Sequence, residues 1–377
     1  MILLKNIHCY APQDIGIQDI LIGGETILGI GPKLSEQISE EIVTKVELCE
    51  DCYAVPGFVD GHVHIIGGGG EGGFATRTPE GTVSPFFQTG TTTVIGLLGT
   101  DGLFRDHRSL LAKARAFREE GLLTYILTGS YHYPPRTITG DIGEDIMLIP
   151  EVLGIGEIAV SDHRGSGISG TELQRLALDA RRAGMLSKKA GTVVLHMGDG
   201  KEGLSPLFEA VSNGTLPPQQ LLPTHIARDP RILEEGKRWV QEKGGAIDFT
   251  AGPETANQIA DLRNQSVPIE KLLVSTDGLG SMPKFDHRKE YIGLDIANVD
   301  TLFPCFASLI RDHRIPIEQA LLPFTRNVGQ TFGLLDQGVG QLKVCGWANI
   351  LVIKKETLQI QCVYTLGKKR HPITGKK

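Results

Sequence analysis

Positive charge is scarce in this chain. Lysine and arginine total 38 against 44 aspartate and glutamate residues, so the formal net charge is -6 and the pI is near 6.0. No cluster of basic residues with interleaved aromatics offsets this balance. The chain therefore lacks the basic field that steers nucleic acid to a protein, and we expect no nucleic-acid partner.

Long apolar runs are also missing. The segment Met1 to Asn6 is too short in apolar residues for the core of a signal peptide. No other segment approaches the ~20 apolar residues that a membrane-spanning helix needs. We therefore expect no membrane partner and a cytoplasmic location.

Cysteine is sparse as well. Six cysteines in 377 residues do not make a disulfide framework, which fits a reducing compartment, and we expect free thiols. Cys49 and Cys52 form a C-x-x-C pair, the pattern of a structural zinc site or a redox pair. No second pair or nearby histidine completes such a site, so plain packing is the preferred interpretation.

The two ends of the chain share a texture of short apolar strands. Apolar runs on either side of Gly23-Gly24 predict a hairpin, and two further runs flank the turn at Lys354 to Thr357. We expect both ends to close into one small β-sandwich domain of residues 1–53 and 337–377. Residues 54–336 then form a second, larger domain.

Residues 54–336 alternate between apolar strands and stretches with helical spacing. The clearest helical stretches are Arg105 to Glu120, Thr171 to Ala183 and Arg231 to Lys243. The predicted strands are residues 54–63, 91–99, 123–131, 152–161, 191–197, 221–226, 246–251 and 272–277. Eight such units predict an α/β fold, a closed parallel (β/α)8 TIM-like barrel with its active site at the C-terminal ends of the strands.

Two histidines end the first of these strands. Because residues i and i+2 of a strand point the same way, His62 and His64 aim two imidazoles at one point. An isolated His-x-His is often a satisfied core pair, but other strands also end in or near polar residues. These residues are Thr100, Tyr131, Glu157, His196, His225 and Asp277. Their convergence on one mouth of the barrel predicts a divalent metal site.

Gly57 to His64 is followed by single histidines that end strands five and six and by an aspartate that ends strand eight. The other motifs are Gly96 to Asp101, Leu127 to His132, Ser161 to Arg164, His196 to Asp199 and Ser275 to Gly278. Together these motifs resemble the isoaspartyl dipeptidase family of the amidohydrolase superfamily. The resemblance covers the whole barrel, and the strand-rich ends are similar to the family's small β-domain.

The resemblance implies a site with two Zn²⁺ ions that share a bridging hydroxide. The implied metal ligands are His62, His64, Glu157, His196, His225 and Asp277. The first two histidines would hold the more buried ion together with Asp277, and the other two histidines the more exposed ion. Asp277 would also take the proton of the hydroxide and pass it to the leaving amine, while Tyr131 would donate to the developing oxyanion.

The resemblance also implies the substrate, an isoaspartyl dipeptide that carries one ammonium and two carboxylates. The residues implied to bind it are Glu71, Gly69, Thr100, Arg164, Arg228 and Ser281. Glu71 would bind the α-amino group, and the two arginines with Ser281 would hold the carboxylates. One acidic side chain and two guanidinium groups complement the substrate in charge.

One position departs from the family. Counting back from Ser161 to Arg164 places Glu157 where family members carry a lysine carboxylated by carbon dioxide, whose carbamate bridges the two metals. A glutamate has the same charge and two oxygens, but its carboxylate sits three bonds closer to the backbone. Gly154 and Gly156 leave room for the strand to approach, so we expect Glu157 to bridge two ions without carbon dioxide. A mononuclear site in which Glu157 binds one metal is the alternative.

A second departure lies near the C-terminus. Related enzymes tend to have Gly-x-Ala-Asp-Leu where this chain has Gly346 to Ile350, so that Asn349 replaces an aspartate. The amide keeps the hydrogen-bonding shape of the carboxylate and loses its charge. We expect this change to affect only how the small domain meets the barrel.

The expected function is zinc-dependent hydrolysis of the isoaspartyl amide bond of dipeptides. Two alternatives stay open. The first is another amidohydrolase, such as a cyclic amidase or an N-acyl amino-acid hydrolase, and the second is a catalytically silent relative that serves as a scaffold. The resemblance also implies a homo-oligomer, with an octamer as the form to test.

Overall fold

Strands dominate both ends of the chain and alternate with helices between them. The computed structural model of the protein describes residues 1–371. The strands are β1 Ile2–Tyr10, β2 Asp14–Gly23, β3 Thr26–Gly31, β4 Lys45–Leu48, β5 Cys52–Pro56, β6 Phe58–Val63, β7 Thr91–Gly96, β8 Leu123–Thr128, β9 Val152–Val160, β10 Thr192–Met197, β11 Leu221–Thr224, β12 Ile247–Thr250, β13 Leu272–Ser275, β14 Ser281–Phe285, β15 Tyr291–Ile296, β16 Ile350–Lys354, β17 Ile360–Thr365 and β18 Lys368–His371.

The helices lie between the first and last strands. They are α1 Ser84–Gln88, α2 His107–Glu120, α3 Ile142–Leu148, α4 Gly170–Ser187, α5 Ser205–Ala210, α6 Pro230–Arg238, α7 Thr255–Asn264, α8 Leu302–Arg311, α9 Ile317–Ala320 and α10 Arg326–Thr331. Within residues 1–371, no helix combines the length and the apolar character needed to cross a membrane.

The strands from the two ends form one mixed sheet of eight strands. Its order is β18-β17-β16-β5-β1-β2-β3, with β4 paired to β1. The predicted hairpin at Gly23-Gly24 is confirmed, since β2 and β3 pair antiparallel on either side of it. Because hydrogen bonds connect all eight strands, the predicted β-sandwich is not confirmed. The division of the chain into two domains stays a prediction, and its residues 372–377 lie outside the described part.

Eight parallel strands follow within the ranges predicted from the sequence. Six form a sheet in the order β11-β10-β9-β8-β7-β6, and β12 pairs with β13 in a separate ladder. No backbone ladder joins β11 to β12 in residues 1–371, so the protein is shown as a mixed α/β fold with a six-stranded parallel sheet.

The predicted first barrel strand, residues 54–63, is wrong as a single strand. Residues up to Pro56 belong to β5, which pairs with β1 and β16 in the sheet of the chain ends. The parallel sheet begins only at Phe58. Gly57 separates the two strands, and a Cβ there would lie 2.2 Å from the Thr92 side chain, so only glycine permits this close passage.

The three predicted helices are present with shifted ends. Asp106 accepts a hydrogen bond from the Ser109 backbone at 2.8 Å and starts α2 two residues later than predicted. A capping box between Ser169 and Glu172 starts α4. The helix expected to run to Lys243 changes after Arg238 to one wider π-helical turn, Trp239–Lys243.

The described cysteines are free thiols, as expected. Burial raises the pKa of Cys49 to about 11, so this thiol stays protonated at neutral pH. In residues 1–371, no group of side chains with metal-binding geometry includes Cys49 or Cys52. The arrangement supports the packing interpretation of the C-x-x-C pair.

Asn349 joins the sheet of the chain ends to the parallel sheet. Its amide nitrogen donates to Thr93 Oγ1 on β7 at 3.3 Å, and its amide oxygen accepts from the Leu366 backbone at 2.9 Å. The side chain is buried, so an ionised aspartate here would carry a buried charge and would have to accept from the Thr93 hydroxyl instead of donating to it. The amide therefore suits this contact between the two sheets.

Glu47 joins the first strands of the chain to the last strand. Its carboxylate lies 2.6 Å from Lys45 Nζ and 2.8 Å from Lys369 Nζ on β18. Burial by itself would raise the pKa of Glu47, but the two ammonium groups outweigh it and lower the pKa to about 2. The ionised carboxylate therefore stabilises the fold above the ordinary glutamate pKa, and this stability is lost as the pH falls toward 2.

We predict that Glu47→Gln lowers the free energy of unfolding by about 1 kcal/mol at pH 7, because the partly exposed ion pairs are lost. The difference from the unsubstituted protein should shrink below pH 4.5 and vanish near pH 2. Chemical denaturation across this pH range measures it. Glu36→Gln, which removes an exposed pair with Lys33, is the matched control and should change little. A deficit that persists at pH 2 would contradict the assignment.

Candidate functional site

The C-terminal ends of the parallel strands bring the six predicted metal ligands together. None is more than 4% exposed. The residues are His62 on β6, His64 directly after it, Glu157 on β9, His196 on β10, His225 after β11 and Asp277 after β13. Six titratable side chains so deeply buried must compensate one another's charge or hold a cation.

Glu157 stands at the centre of this cluster. Its Oε1 lies 3.4 Å from His62 Nε2 and 3.6 Å from His64 Nε2. Its Oε2 lies 3.2 Å from both His196 Nδ1 and His225 Nε2. Each carboxylate oxygen thus faces one pair of histidines, which is the arrangement expected of a bridging ligand.

The local structure of β9 explains how a glutamate reaches this position. Ile155 pairs with Val193 and Ile158 with Leu195, so Gly156 and Glu157 together oppose a single residue of β10. Such a bulge bends the strand and re-aims a side chain. A Cβ at Gly154 would lie 2.1 Å from the Thr192 carbonyl oxygen, so glycine is needed for this close strand contact.

The cluster fits a divalent metal ion. His62, His64 and Asp277 form one group whose ligand atoms lie within 4.8 Å of one another, and His62, Glu157 and His225 form another. Both ring nitrogens of His62 and Nδ1 of His64 are buried without a hydrogen-bond partner in the described structure. Leaving such groups unsatisfied costs roughly 1–3 kcal/mol each, and a bound cation would relieve this cost at one nitrogen of a ring.

The charges in the cluster hold Glu157 and His225 in the protonation states that metal binding needs. Burial opposes ionisation of Glu157, but His62 and His196 hold its pKa well below the usual range. Burial and the Arg228 guanidinium hold the pKa of His225 well below its usual value, which leaves a neutral imidazole. An ionised carboxylate and a neutral imidazole are both metal ligands. At His62, burial lowers the pKa, but the neighbouring carboxylates outweigh it and raise the pKa to about 9, so a metal ion would have to displace a proton there.

Tyr131 stands beside this cluster. Its hydroxyl lies 2.8 Å from His196 Nδ1, and the Arg164 guanidinium lies 5.3 Å from the centre of its ring. Burial and the Glu157 charge raise the pKa of Tyr131 well above its usual value. The hydroxyl therefore keeps its proton and can act as a hydrogen-bond donor.

Glu71 forms the centre of a second group of predicted residues. Its Oε1 accepts hydrogen bonds from Thr100 Oγ1 at 3.0 Å and from Ser281 Oγ at 2.9 Å, and Arg164 Nη1 lies 3.6 Å away. Its Oε2 is buried and has no hydrogen-bond partner in the described structure. Gly69 packs against Ser281 at the same place. A buried carboxylate oxygen without a donor is suited to an ammonium group.

A network of backbone contacts fixes the loop that carries Glu71. Thr78 accepts from the Gly68 backbone at 2.6 Å and donates to the Leu279 carbonyl at 2.6 Å. The buried Arg105 donates to the Thr78 carbonyl, also at 2.6 Å. These bonds connect the Glu71 loop to the segment between Asp277 and Ser281.

The two predicted substrate arginines contact carboxylates of this chain. Arg228 Nη2 donates to Asp277 Oδ2 at 2.6 Å. Arg164 makes a two-pronged contact with Asp162, with Nε at 2.9 Å from Oδ1 and Nη2 at 2.7 Å from Oδ2. Both arginines line the same cavity as the histidine cluster, which has a volume of about 800 Å³.

Sequence reasoning missed two residues that orient the histidines. Asp162 Oδ2 lies 3.0 Å from His196 Nε2, and Thr250 Oγ1 lies 2.7 Å from His225 Nδ1. Partners of this kind set the tautomer and the ring orientation of a metal-binding histidine. Thr250 could have been found because it is a polar residue at the end of the seventh strand. Asp162 could have been found because it lies inside the motif Ser161 to Arg164.

No model of a protein family matches the chain. The chain is similar to a crystal structure of the beta-aspartyl dipeptidase of the thermophilic keratin degrader Fervidobacterium islandicum AW-1 in complex with the dipeptide beta-Asp-Leu. The two share 36% sequence identity over 98% of this chain and 96% of that chain, with a TM-score of 0.90. A second structure of a beta-aspartyl dipeptidase from the same organism shares 34% identity, with the same coverage and a TM-score of 0.88.

A more distant similarity concerns the fold alone. Dihydropyrimidinase from Brevibacillus agri NCHU1002 shares 16% identity over 97% of this chain and 94% of that chain, with a TM-score of 0.62. The architecture is therefore common to enzymes with different substrates, and the substrate must be argued from the site.

We predict that Asp162→Asn weakens metal retention about 10- to 100-fold, because His196 loses its charged partner. The variant should also raise KM for the substrate, because Arg164 loses its anchor. Metal content after dialysis against increasing chelator concentrations measures the first effect. Asp229→Asn is the matched control, because Asp229 lines the same cavity and caps α6. Equal metal retention in both variants would exclude the orienting role of Asp162.

Proposed function

The chain belongs to the beta-aspartyl dipeptidase family of the amidohydrolase superfamily, and we propose that it hydrolyses the β-aspartyl, or isoaspartyl, amide bond of dipeptides. Enzymes of this kind are hydrolases that act on dipeptide amide bonds. The observation that carries the proposal is the similarity to an enzyme whose crystal structure holds beta-Asp-Leu. The charged groups of the pocket support the same substrate.

Two Zn²⁺ ions are the proposed cofactors. His62, His64 and Asp277 would hold one ion, His196 and His225 the other, and Glu157 would bridge them without carbon dioxide. The opposed orientation of the two Glu157 oxygens supports the bridge over a mononuclear site. When bound, such ions lower the pKa of a coordinated water and polarise the amide carbonyl.

Asp277 and Tyr131 are the proposed catalytic residues of the chain. Burial opposes ionisation of Asp277, but its imidazole neighbours and the Arg228 guanidinium hold its pKa well below the usual carboxyl range, so it is ionised at neutral pH. It would take the proton of the attacking water and deliver it to the amine nitrogen as the C–N bond breaks. Tyr131, which keeps its own proton, would donate a hydrogen bond to the oxyanion that develops on the carbonyl oxygen.

The remaining residues bind and orient the dipeptide. Glu71 Oε2, which has no donor among the described residues, would accept the α-ammonium group, with Gly69, Thr100 and Ser281 shaping the surroundings. Arg164 and Arg228 would bind the two carboxylates, since a guanidinium suits a carboxylate in charge and shape. Binding at both ends of the substrate places the β-amide next to Tyr131 and Asp277.

We also propose that the two parallel sheets close into one eight-stranded barrel. Support comes from both gaps between the sheets. At one gap, His64 N–H donates to the Gly278 carbonyl at 2.9 Å, and Asp60 accepts from Thr276 Oγ1 at 2.5 Å. At the other, the buried Asp248 of β12 accepts from Thr224 of β11 at 2.6 Å.

The homo-oligomer, the octamer and the cytoplasmic location stay predictions. They rest on the family resemblance and on composition, and size measurement of the purified protein tests the assembly directly.

We predict that the purified protein with zinc cleaves β-Asp-Leu and leaves α-Asp-Leu intact, because only the β-linked peptide places its ammonium on Glu71 while its amide reaches Asp277. The measurement is the release of leucine from each peptide, with zinc content determined in the same sample. A zinc-loaded protein that is inactive on both peptides would favour another amidohydrolase, and a protein without zinc would favour a silent scaffold. Cleavage of α-Asp-Leu at an equal rate would contradict the proposed substrate.

The proposed bridging role of Glu157 can be tested by substitution. Glu157→Gln should lower metal content and reduce kcat by at least about tenfold, because the central negative charge is lost. Glu157→Lys should recover activity only with added bicarbonate, if a carboxylated lysine can replace the glutamate. A Glu157→Gln enzyme with two zinc ions and full activity would refute the bridge, and one zinc ion in the unsubstituted protein would show a mononuclear site.

A further inference from the structure

A β-hairpin covers one side of the pocket in which the dipeptide is proposed to bind. Strands β14 and β15 pair antiparallel directly after the segment that carries Asp277, and β14 begins with Ser281. The Phe285 ring meets the His163 ring edge to face at 5.0 Å, and the Arg164 guanidinium lies 5.9 Å from its centre. The hairpin is thus held against the segment that follows β9.

The turn of this hairpin makes a second contact across the pocket. Lys289 forms an ion pair with Asp199, which lies three residues beyond His196. Both side chains line the cavity that has the histidine cluster as its floor. The floor is buried, whereas Lys289 and Asp199 are 47% and 58% exposed, so their pair lies at the outer rim.

Such an exposed pair contributes little to stability, typically about 0–1 kcal/mol. It can therefore open for substrate entry at small cost and close again behind a short substrate. In the closed position it connects the segment after β10 to the turn between β14 and β15. His196 lies at the end of β10, and Asp277 lies in the segment that leads into β14.

The position of Arg228 shows where a longer substrate would have to go. The residues that follow it, Asp229, Pro230 and Ile232, line the cavity together with Asp199 and Lys289. If Arg228 binds the carboxylate of the leaving residue, any further residue must extend from that point toward the rim. Lys289 and Asp199 line the same cavity as Arg228, on its exposed side.

We propose that the Lys289–Asp199 ion pair is a specificity determinant that restricts the enzyme to dipeptides by closing the cavity beyond the leaving residue. The inference rests on the proposed function and adds to it a limit on the number of residues in the substrate. Removal of the pair should admit an isoaspartyl tripeptide.

The chain offers a matched control in the same hairpin. Lys284 and Asp295 form an ion pair at 2.7 Å, both line the cavity, and each is 59% exposed. This pair joins the two strands of the hairpin to each other and does not reach the segment after β10. Its loss removes the same charges and leaves the pocket rim closed.

The experiment compares kcat/KM for β-Asp-Leu and for β-Asp-Leu-Gly. The variants are Lys289→Met, Asp199→Ala, the control Lys284→Met, and the exchange of the two charges in Lys289→Asp with Asp199→Lys. Zinc content is measured in every variant, so that loss of metal is not mistaken for a change of specificity.

The ratio of tripeptide to dipeptide kcat/KM should rise about tenfold in Lys289→Met and Asp199→Ala, the scale of a single steric or polar discrimination. It should stay at the original value in Lys284→Met and return toward it in the charge exchange. An equal ratio in Lys289→Met and Lys284→Met would overturn the inference while cleavage of β-Asp-Leu leaves the proposed function standing. An unsubstituted enzyme that does not cleave β-Asp-Leu would refute the proposed function itself.

Discussion

The Glu157 carboxylate is the interaction on which the site depends. Its two oxygens each face two imidazoles, and all five side chains are buried. A carboxylate removed from water is stable only when opposite charges or donors surround it. Four strands must therefore end at one point. The negative charge of Glu157 holds each of the segments that carry these four histidines there.

Backbone geometry supplies what this carboxylate needs. A bulge in β9 and the close strand contact at Gly154 bring a side chain shorter than a carboxylated lysine to the centre of the cluster. Around it, Asp162 and Thr250 orient two histidines, and Thr78 with Arg105 holds the Glu71 loop. The cluster and the substrate pocket are thus connected through contacts between loops.

Much of this organisation could be predicted because it is encoded locally. Alternating strand and helix patterns located all eight parallel strands, and the His-x-His spacing identified two ligands, since a strand turns alternate side chains the same way. Helix ends were less predictable because caps such as Asp106 depend on single residues. Asp162 was missed because its partner His196 is defined only when strands β9 and β10 lie side by side.

The sequence by itself determined most of the elements and the chemical types of the site residues, including a glutamate at position 157, because each depends on residues close together in the chain. Only the tertiary structure decided that Glu157 faces four histidines, that Arg228 contacts Asp277, and that Lys289 reaches Asp199 across the pocket. Arg228 and Asp277 are 49 residues apart in the chain, and Lys289 and Asp199 are 90 residues apart. Their distances follow from the packing of strands and loops, for which no local pattern exists.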